Sequence, residues 1–139
     1  MGVHKIVIFM RIFIVETEMA GKTLHAALDK LDAIAVKDGR TLEEFELADH
    51  LAKRAFENRT NIARSYRYEF LLWLSGKRDI KSAMKETEPS ELRFIVAVFS
   101  DSDEKEVLSA LNSEMMKKNL PRKAEPLALE KISLSRVKN

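Results

Sequence analysis

The amino-acid sequence predicts an α/β (α+β) fold, with a single small mixed sheet packed with several helices in one domain over residues 1–139. Two apolar runs rich in β-branched residues have the composition of buried strands. Several other segments carry apolar residues at helical spacing, next to residues that commonly cap helices. The 139 residues are 45% hydrophobic, with 4 Gly and 3 Pro, which is enough apolar surface for one core.

The first half of the chain is predicted to alternate strands and helices. Lys5 to Val15 is a nearly continuous apolar run, typical of a strand covered on both faces. Gly21 to Leu31 has leucines at helical spacing, and Ala33 to Val36 is a short second strand. Thr41-Leu-Glu-Glu44 has the form of a capping box, which predicts a helix that ends near Asn58.

The second half begins with two predicted helices and a strand. Ser65 is the expected N-cap of a helix that runs to Leu74, with Gly76 as its C-cap. A short amphipathic helix is predicted from Arg78 to Lys85, and Leu92 to Phe99 is the clearest strand in the chain.

Two more helices are predicted to complete the fold. Asp101 to Asp103 can cap a helix whose apolar face carries Val107, Leu108, Leu111 and Met115. Lys117 to Glu125 resembles a linker, and Pro121 and Pro126 bracket a loop. A last amphipathic helix covers residues 127–134. The predicted order is therefore β, α, β, α, α, α, β, α, α.

Several classes of protein are excluded or disfavoured by composition. The chain has no cysteine, which excludes disulfides, thiolate zinc sites and cysteine nucleophiles. No apolar run approaches the roughly 18 residues of a membrane span. Met1 to Val15 could be read as a signal peptide, but a buried strand is favoured because no small-residue cleavage site follows. We therefore expect a cytoplasmic protein with no membrane partner.

The search for catalytic motifs gives almost nothing. His4, His25 and His50 do not have the spacing of a metal-binding pair. Gly21-Lys22-Thr23 resembles the end of a phosphate-binding loop, but position 16 is Glu16 and the earlier glycine is missing. We predict no catalytic residue, no metal and no cofactor, and a binding protein rather than an enzyme.

Basic residues are concentrated between Lys53 and Arg78. This stretch has only Glu57 and Glu69 as acidic residues, against seven basic residues: Lys53, Arg54, Arg59, Arg64, Arg67, Lys77 and Arg78. Asn, Ser and Tyr side chains lie between them. Such a mixture suits single-stranded RNA, whose phosphates and unstacked bases it can contact. The alternative is a solvated basic face on two helices, with Tyr66, Phe70 and Trp73 in the core.

The same stretch resembles a known family. Asn61-Ile-Ala-Arg-Ser65, then Glu69-Phe-Leu-Leu-Trp-Leu-Ser-Gly76 and Arg78-Asp-Ile80, is similar to the signature region of the Cgi-type subunit of the KEOPS tRNA-modification complex, the PRPK-binding protein family. Leu129 to Leu134 resembles the family's C-terminal helix. The resemblance covers most of the chain from Ala33 onward. The sequence departs from the family at Asp79, where Gln is usual.

This resemblance implies a Cgi-like fold and a regulatory function. KEOPS adds the threonylcarbamoyl group to an adenosine beside the tRNA anticodon. The Cgi-type subunit has no active site; it binds and activates the small Bud-type kinase/ATPase and captures the single-stranded CCA end of tRNA. Its indirect partners would be the Kae-type threonylcarbamoyltransferase and the Pcc-type subunit.

Two sets of residues are assigned to these partners. The expected RNA-binding residues are Asn61, Arg64, Ser65, Ser75, Gly76, Lys77 and Arg78. The kinase contact should be apolar, and the C-terminal helix offers Leu127, Leu134 and Val137, although these could instead pack on the sheet. The competing hypotheses are a protein–protein adaptor that binds a kinase without its own RNA site, and an unrecognised enzyme.

Overall fold

The computed structural model describes residues 8–115 and 120–137. The predicted order of strands and helices is confirmed, with one additional two-residue strand before the last helix. The elements are β1 (Arg11–Glu16), α1 (Gly21–Leu31), β2 (Ala33–Lys37), α2 (Leu42–Glu57), α3 (Tyr66–Ser75), α4 (Ile80–Thr87), β3 (Arg93–Val98), α5 (Glu104–Ala110), β4 (Glu114–Met115) and α6 (Pro126–Ser133).

The chain divides into two compact units. A sheet unit comprises residues 8–38 and 88–115, and a helical unit comprises residues 39–87 and 120–137. Each unit is built from segments that are distant in sequence. The single domain over residues 1–139 stays a prediction.

The sheet unit confirms the predicted class and corrects one detail of the sheet. The strand order is β2-β3-β1-β4, and all three pairings are antiparallel rather than mixed. The reason is that β1 and β2, joined through α1, run in the same direction but do not pair. β3 lies between them and runs in the opposite direction, which makes a split β-α-β arrangement.

One face of the sheet forms the core of this unit with α1 and α5. The apolar residues packed together here are Phe13, Val15, Leu24, Ala27, Leu28, Leu31, Ala33, Phe94, Val96, Val98, Val107 and Leu111. Ile14, Ile34 and Ile95 point to the opposite face and are also buried. Burial on both faces accounts for the continuous apolar runs in the sequence.

The first strand is shorter than predicted. β1 begins at Arg11, which pairs with Val98, the last residue of β3, so residues 8–10 have no partner in the ladder. Phe9 is accordingly exposed. The side chain of Arg11 instead donates to the carbonyls of Ser100 and Ser102. The remainder of the predicted strand, Lys5 to Val7, lies outside the described residues.

The helical unit is built around α3. Every residue of α3 from Glu69 to Ser75 is buried, and α2, α4 and α6 all contact this helix. The rings of Phe45 on α2 and Phe70 on α3 lie 5.8 Å apart. A helix that is buried on all sides is a rigid support for the loops at its two ends.

Helix ends follow the predicted capping residues. Thr41 and Glu44 form the capping box of α2, and Asp103 with Glu106 forms that of α5. The prediction that Met115 lies on the face of α5 is wrong, because the helix ends at Ala110 and Asn112 adopts a left-handed φ of 50°. The loop predicted between Pro121 and Pro126 is confirmed, and Pro126 is the first residue of α6.

The predicted linker is only partly described. Residues 117–119 lie outside the described residues, and residues 120–125 form neither helix nor strand. This segment is nevertheless attached to α2. The amides of Leu42 and Glu43 donate to the carbonyls of Pro121 and Arg122 at 2.8 and 3.1 Å. The segment therefore satisfies backbone donors at the start of α2 that have no partner within the helix.

Candidate nucleic-acid interface

The loop before α3 is shaped by one buried carboxylate. Glu69 has no exposed surface, and its Oε1 accepts hydrogen bonds from the amides of Ile62 and Ala63, each at 2.9 Å. Two amides that converge on one carboxylate oxygen fix the backbone of this loop. The backbone of the Asn61–Ser65 segment is thus hydrogen-bonded to Glu69, which lies in the first turn of α3.

The other oxygen of Glu69 faces the C-terminal segment. Oε2 accepts from the indole of Trp73 at 3.2 Å and from Nη1 of Arg136 at 2.7 Å. The guanidinium of Arg136 also stacks on Trp73, with Cζ 3.9 Å from the ring centroid. In the described part of the chain, Nε and Nη2 of Arg136 are buried without a hydrogen-bond partner.

The first residue of α3 connects this helix to α2. The hydroxyl of Tyr66 lies 2.6 Å from Oδ1 of Asp49, whose Oδ2 pairs with Lys53 at 2.8 Å. Burial, reinforced by the hydrogen bond to Asp49, raises the pKa of the Tyr66 hydroxyl well above its usual range. Tyr66 and Lys53 therefore serve packing and polar pairing, as the solvated-face alternative expects for Tyr66.

Two of the predicted RNA-binding residues in the first segment, Arg64 and Ser65, are exposed, as is Ile62 between them and Asn61. Ser65 occupies the N-cap position of α3, as predicted, but its side chain makes no capping hydrogen bond. The side-chain amide of Asn61 donates to the carbonyl of Ala63 at 2.9 Å, so it helps to close the loop.

The second predicted segment is the turn that ends α3. Gly76 has a left-handed φ of 70° and ends the helix, as predicted. Lys77 is half-buried and Arg78 is exposed. Ser75 does not belong to an RNA-facing surface: it is buried, and its hydroxyl donates to Leu72 and accepts from the amide of Lys77. Its polar atoms serve the helix end.

The two segments lie at opposite ends of one helix. α3 has ten residues, and at 1.5 Å per residue its ends are about 15 Å apart. Arg64 and Arg78 are thus separated along a buried helix rather than gathered at one point. A single strand of several nucleotides is long enough to contact both ends.

Three basic residues near the second segment were not predicted. Lys81 and Lys85 are exposed and lie one turn apart on α4, so their spacing could have identified them. Lys131 of α6 packs against Gly76, where a Cβ would lie 3.7 Å from its side-chain carbons. Because Lys131 is far away in sequence, no local pattern connects it with this turn. Its Nζ lies 4.0 Å from Glu86.

The C-terminal helix and the residues that follow it expose the predicted apolar side chains. Leu127, Leu134 and Val137 are 77%, 51% and 58% exposed, whereas Ile132 is buried. The alternative that these three side chains pack on the sheet is therefore wrong. Leu127 and Leu134 are seven residues, or about two helical turns, apart and so lie on one side of α6.

Within the described residues no group of three or more His, Asp or Glu side chains could hold a metal ion, and no helix is long and apolar enough to cross a membrane. His25 and His50 are exposed, and His4 lies outside the described residues. No family model and no curated protein matches this chain. A functional proposal therefore depends on the geometry of residues 61–78 and on the resemblance in their sequence.

Proposed function

We propose that this chain is a non-catalytic regulatory subunit of the Cgi type, acting in the cytoplasm within a KEOPS tRNA threonylcarbamoyladenosine-modification complex. It binds and activates a Bud-type kinase/ATPase and captures the single-stranded CCA end of tRNA. The Kae-type threonylcarbamoyltransferase and the Pcc-type subunit are its indirect partners. No step of catalysis is assigned to its own residues.

The observation that carries the RNA-binding part is the arrangement of charge around α3. Arg64 stands at one end of the helix, and Arg78 stands at the other with Lys81 and Lys85 after it. The backbone under each end is held by buried contacts, those of Glu69 and those of Ser75. Fixed loops that present exposed cations at the two ends of a helix about 15 Å long suit an extended polyanion.

The kinase part is supported by the exposed apolar residues of the C-terminal segment. The buried core of an interface is more apolar than the rest of a protein surface, and this is most pronounced where two subunits associate permanently. Leu134 and Val137 are exposed immediately beside Arg136, which anchors the segment. These residues are the proposed contact with the kinase, together with Leu127.

A titration with tRNA tests the RNA-binding proposal. Intact tRNA and tRNA trimmed of its terminal CCA are compared at about 50 and about 200 mM salt. We expect trimming to remove most of the binding. Arg64→Ala and Arg78→Ala should each weaken binding and reduce the salt slope by about one charge.

The matched control is Lys105→Ala, which removes an exposed cation from α5 in the sheet unit. It should leave the affinity for tRNA within about twofold of wild type. Equal binding of intact and trimmed tRNA, or no binding even at low salt, would refute the RNA site.

The kinase contact is tested separately by Leu134→Asp. The side chain is exposed, so the variant should fold normally while its affinity for a Bud-type kinase falls at least tenfold. Leu92→Asp, at an exposed leucine of the sheet unit, is the matched control and should bind as wild type. Retained kinase binding by Leu134→Asp would place the interface elsewhere.

A second candidate, an adaptor that binds a kinase without its own RNA site, is favoured by one observation. Among the seven proposed RNA-binding residues, the side chains of Asn61 and Ser75 donate hydrogen bonds to backbone carbonyls of the protein itself. Under this hypothesis the kinase contact is lost in Leu134→Asp, whereas tRNA affinity depends on salt but not on the CCA end.

A further inference from the structure

We infer that Glu69 couples the docking of the C-terminal segment, residues 133–137, to the conformation of the Asn61–Ser65 loop. A partner that holds Leu134 and Val137 in place would then raise affinity for RNA at the loop, and RNA would raise affinity for that partner. This inference rests on the proposed function, because it describes how its two contacts regulate each other.

The coupling starts from one carboxylate that serves two segments. Oε1 of Glu69 holds the amides of Ile62 and Ala63, while Oε2 holds Arg136 and the indole of Trp73. Glu69 is fully buried, so water does not replace any of these donors without a rearrangement. The loop and the C-terminal segment therefore share a single anchor.

The charge of this anchor makes the two segments dependent on each other. Arg136 is the cation that pairs with Glu69 in the described structure. If the C-terminal segment detaches, a buried carboxylate loses its counter-charge, which is far more costly than exposing an ordinary polar group. The site must then admit water, shift Glu69 or protonate its carboxylate, and each of these changes weakens the hydrogen bonds from the amides of Ile62 and Ala63.

The docked position of Arg136 also carries a penalty. Its Nε and Nη2 form the edge with which a guanidinium binds a planar acceptor in bidentate fashion, and both atoms are buried without a partner in the described residues. Leaving these donors unsatisfied reduces the gain from docking. The size of the coupling is set by the fraction of protein in which the segment is detached before the partner binds.

The position of the apolar residues connects this equilibrium to the proposed kinase contact. Leu134 and Val137 flank Arg136 in the chain and are exposed while Arg136 is docked. A partner that contacts both side chains in the arrangement fixed by docking would bind the docked segment in preference to the detached one, because the detached segment loses that arrangement. By linkage, the same factor must appear in the affinity for RNA.

Amide hydrogen exchange at Ile62 and Ala63 tests the coupling without RNA or kinase. In Arg136→Gln we expect both amides to exchange at least about tenfold faster than in wild type, because a charge-assisted anchor is lost. Arg122→Gln removes an exposed arginine of the same unit and should leave them unchanged. The amide of Val96, in the centre of β3, reports on global unfolding, so the acceleration at Ile62 and Ala63 in Arg136→Gln should exceed the acceleration at Val96 in the same variant.

Trp73 gives a second measurement, because it is the only tryptophan in the chain. Arg136 covers its ring, so a milder variant, Arg136→Lys, should make Trp73 fluorescence more accessible to acrylamide. Adding an oligoribonucleotide that ends in CCA should reduce this accessibility in wild type. This variant keeps the positive charge and serves if Arg136→Gln does not fold.

The outcomes separate the coupling from the proposed function. Unchanged exchange at Ile62 and Ala63 in a folded Arg136 variant overturns the coupling, whether or not RNA binds. Faster exchange in a protein that binds no RNA at low salt supports the coupling and refutes the RNA-binding function. Faster exchange together with weaker RNA binding supports both.

Discussion

Nη1 of Arg136 lies 2.7 Å from Oε2 of Glu69, although 67 residues separate them in the chain. The pair connects α3, which contains Glu69, with the segment that follows α6, which contains Arg136. The guanidinium of Arg136 covers the ring of Trp73, and Oε1 of Glu69 accepts a hydrogen bond from the amide of Ile62 in the loop before α3. Stability and the shape of the candidate site thus depend on the same contact.

Removal of one partner should be strongly destabilising. Arg136→Ala leaves the buried Glu69 without its cation, and we expect a loss of about 3–5 kcal/mol in the free energy of unfolding, measured with urea. Arg122→Ala, at an exposed position, should change it by less than about 0.5 kcal/mol. A loss below about 1 kcal/mol for Arg136→Ala would contradict the role assigned to the pair.

Gly76 should resist substitution because of its backbone rather than its surroundings. Its φ is 70°, and the nearest atom to an added Cβ would be 3.6 Å away, which is ordinary contact. Gly76→Ala should therefore cost about 1 kcal/mol, and Gly76→Asn should cost less because Asn tolerates the left-handed region. Thermal denaturation measures both. Equal stability of Gly76→Ala and wild type would show that the turn relaxes.

Gly76 and Glu69 illustrate what the sequence could and could not predict. The capping box of Thr41 and Glu44 and the glycine at position 76 are local patterns, and the structure confirms both. Glu69 was counted among the acidic residues of a basic stretch, because nothing near it in sequence indicates that a partner arrives from position 136. Its role depends on a contact between distant segments.

The candidate site was predicted only in part, because some of its contacts also join distant segments. Arg64, Ser65 and Arg78 are exposed as an RNA contact requires, whereas Ser75 is not, since a serine at a helix end readily bonds to its own backbone. Lys131 reaches Gly76 only through the packing of α6. Residues that join the candidate site from distant parts of the chain could not be predicted from a local motif.

Ionisation of Asp79 should add to the stability of α4. Its Oδ1 accepts from the amide of Ser82 at 2.8 Å, and hydrogen bonding with Ser82 holds the pKa of Asp79 below its usual value. The stabilisation is therefore present above the unfolded pKa of about 3.9 and is lost as pH falls through the lower folded pKa. Wild type should exceed Asp79→Ala in stability at neutral pH, and the difference should shrink below about pH 4.

Urea denaturation of the two proteins over this range measures the effect. Asp79→Asn retains a capping group without a charge and is the matched control. The stability difference between Asp79→Asn and Asp79→Ala should not depend on pH. A pH-independent difference between wild type and Asp79→Ala would contradict the assignment of the cap to the ionised carboxyl.

Tyr66 should make the protein less stable at alkaline pH. Because burial and Asp49 raise its folded pKa, its contribution is complete below the unfolded pKa of about 10 and is lost as pH rises through the folded pKa. Tyr66→Phe should lose about 1 kcal/mol at neutral pH through the missing hydrogen bond. Above about pH 10 the stability of wild type should fall more steeply than that of Tyr66→Phe. Parallel curves would refute this.

The most direct test of the RNA site is a map of backbone amide shifts on titration with a short oligoribonucleotide that ends in CCA. We expect the largest changes at Arg64, Ser65, Gly76 and Arg78, with smaller changes along α4. An oligonucleotide of equal length and charge with a different 3′ end should give weaker shifts at the same residues. Shifts confined to the sheet unit, or none at low salt, would contradict capture of an RNA end by this surface.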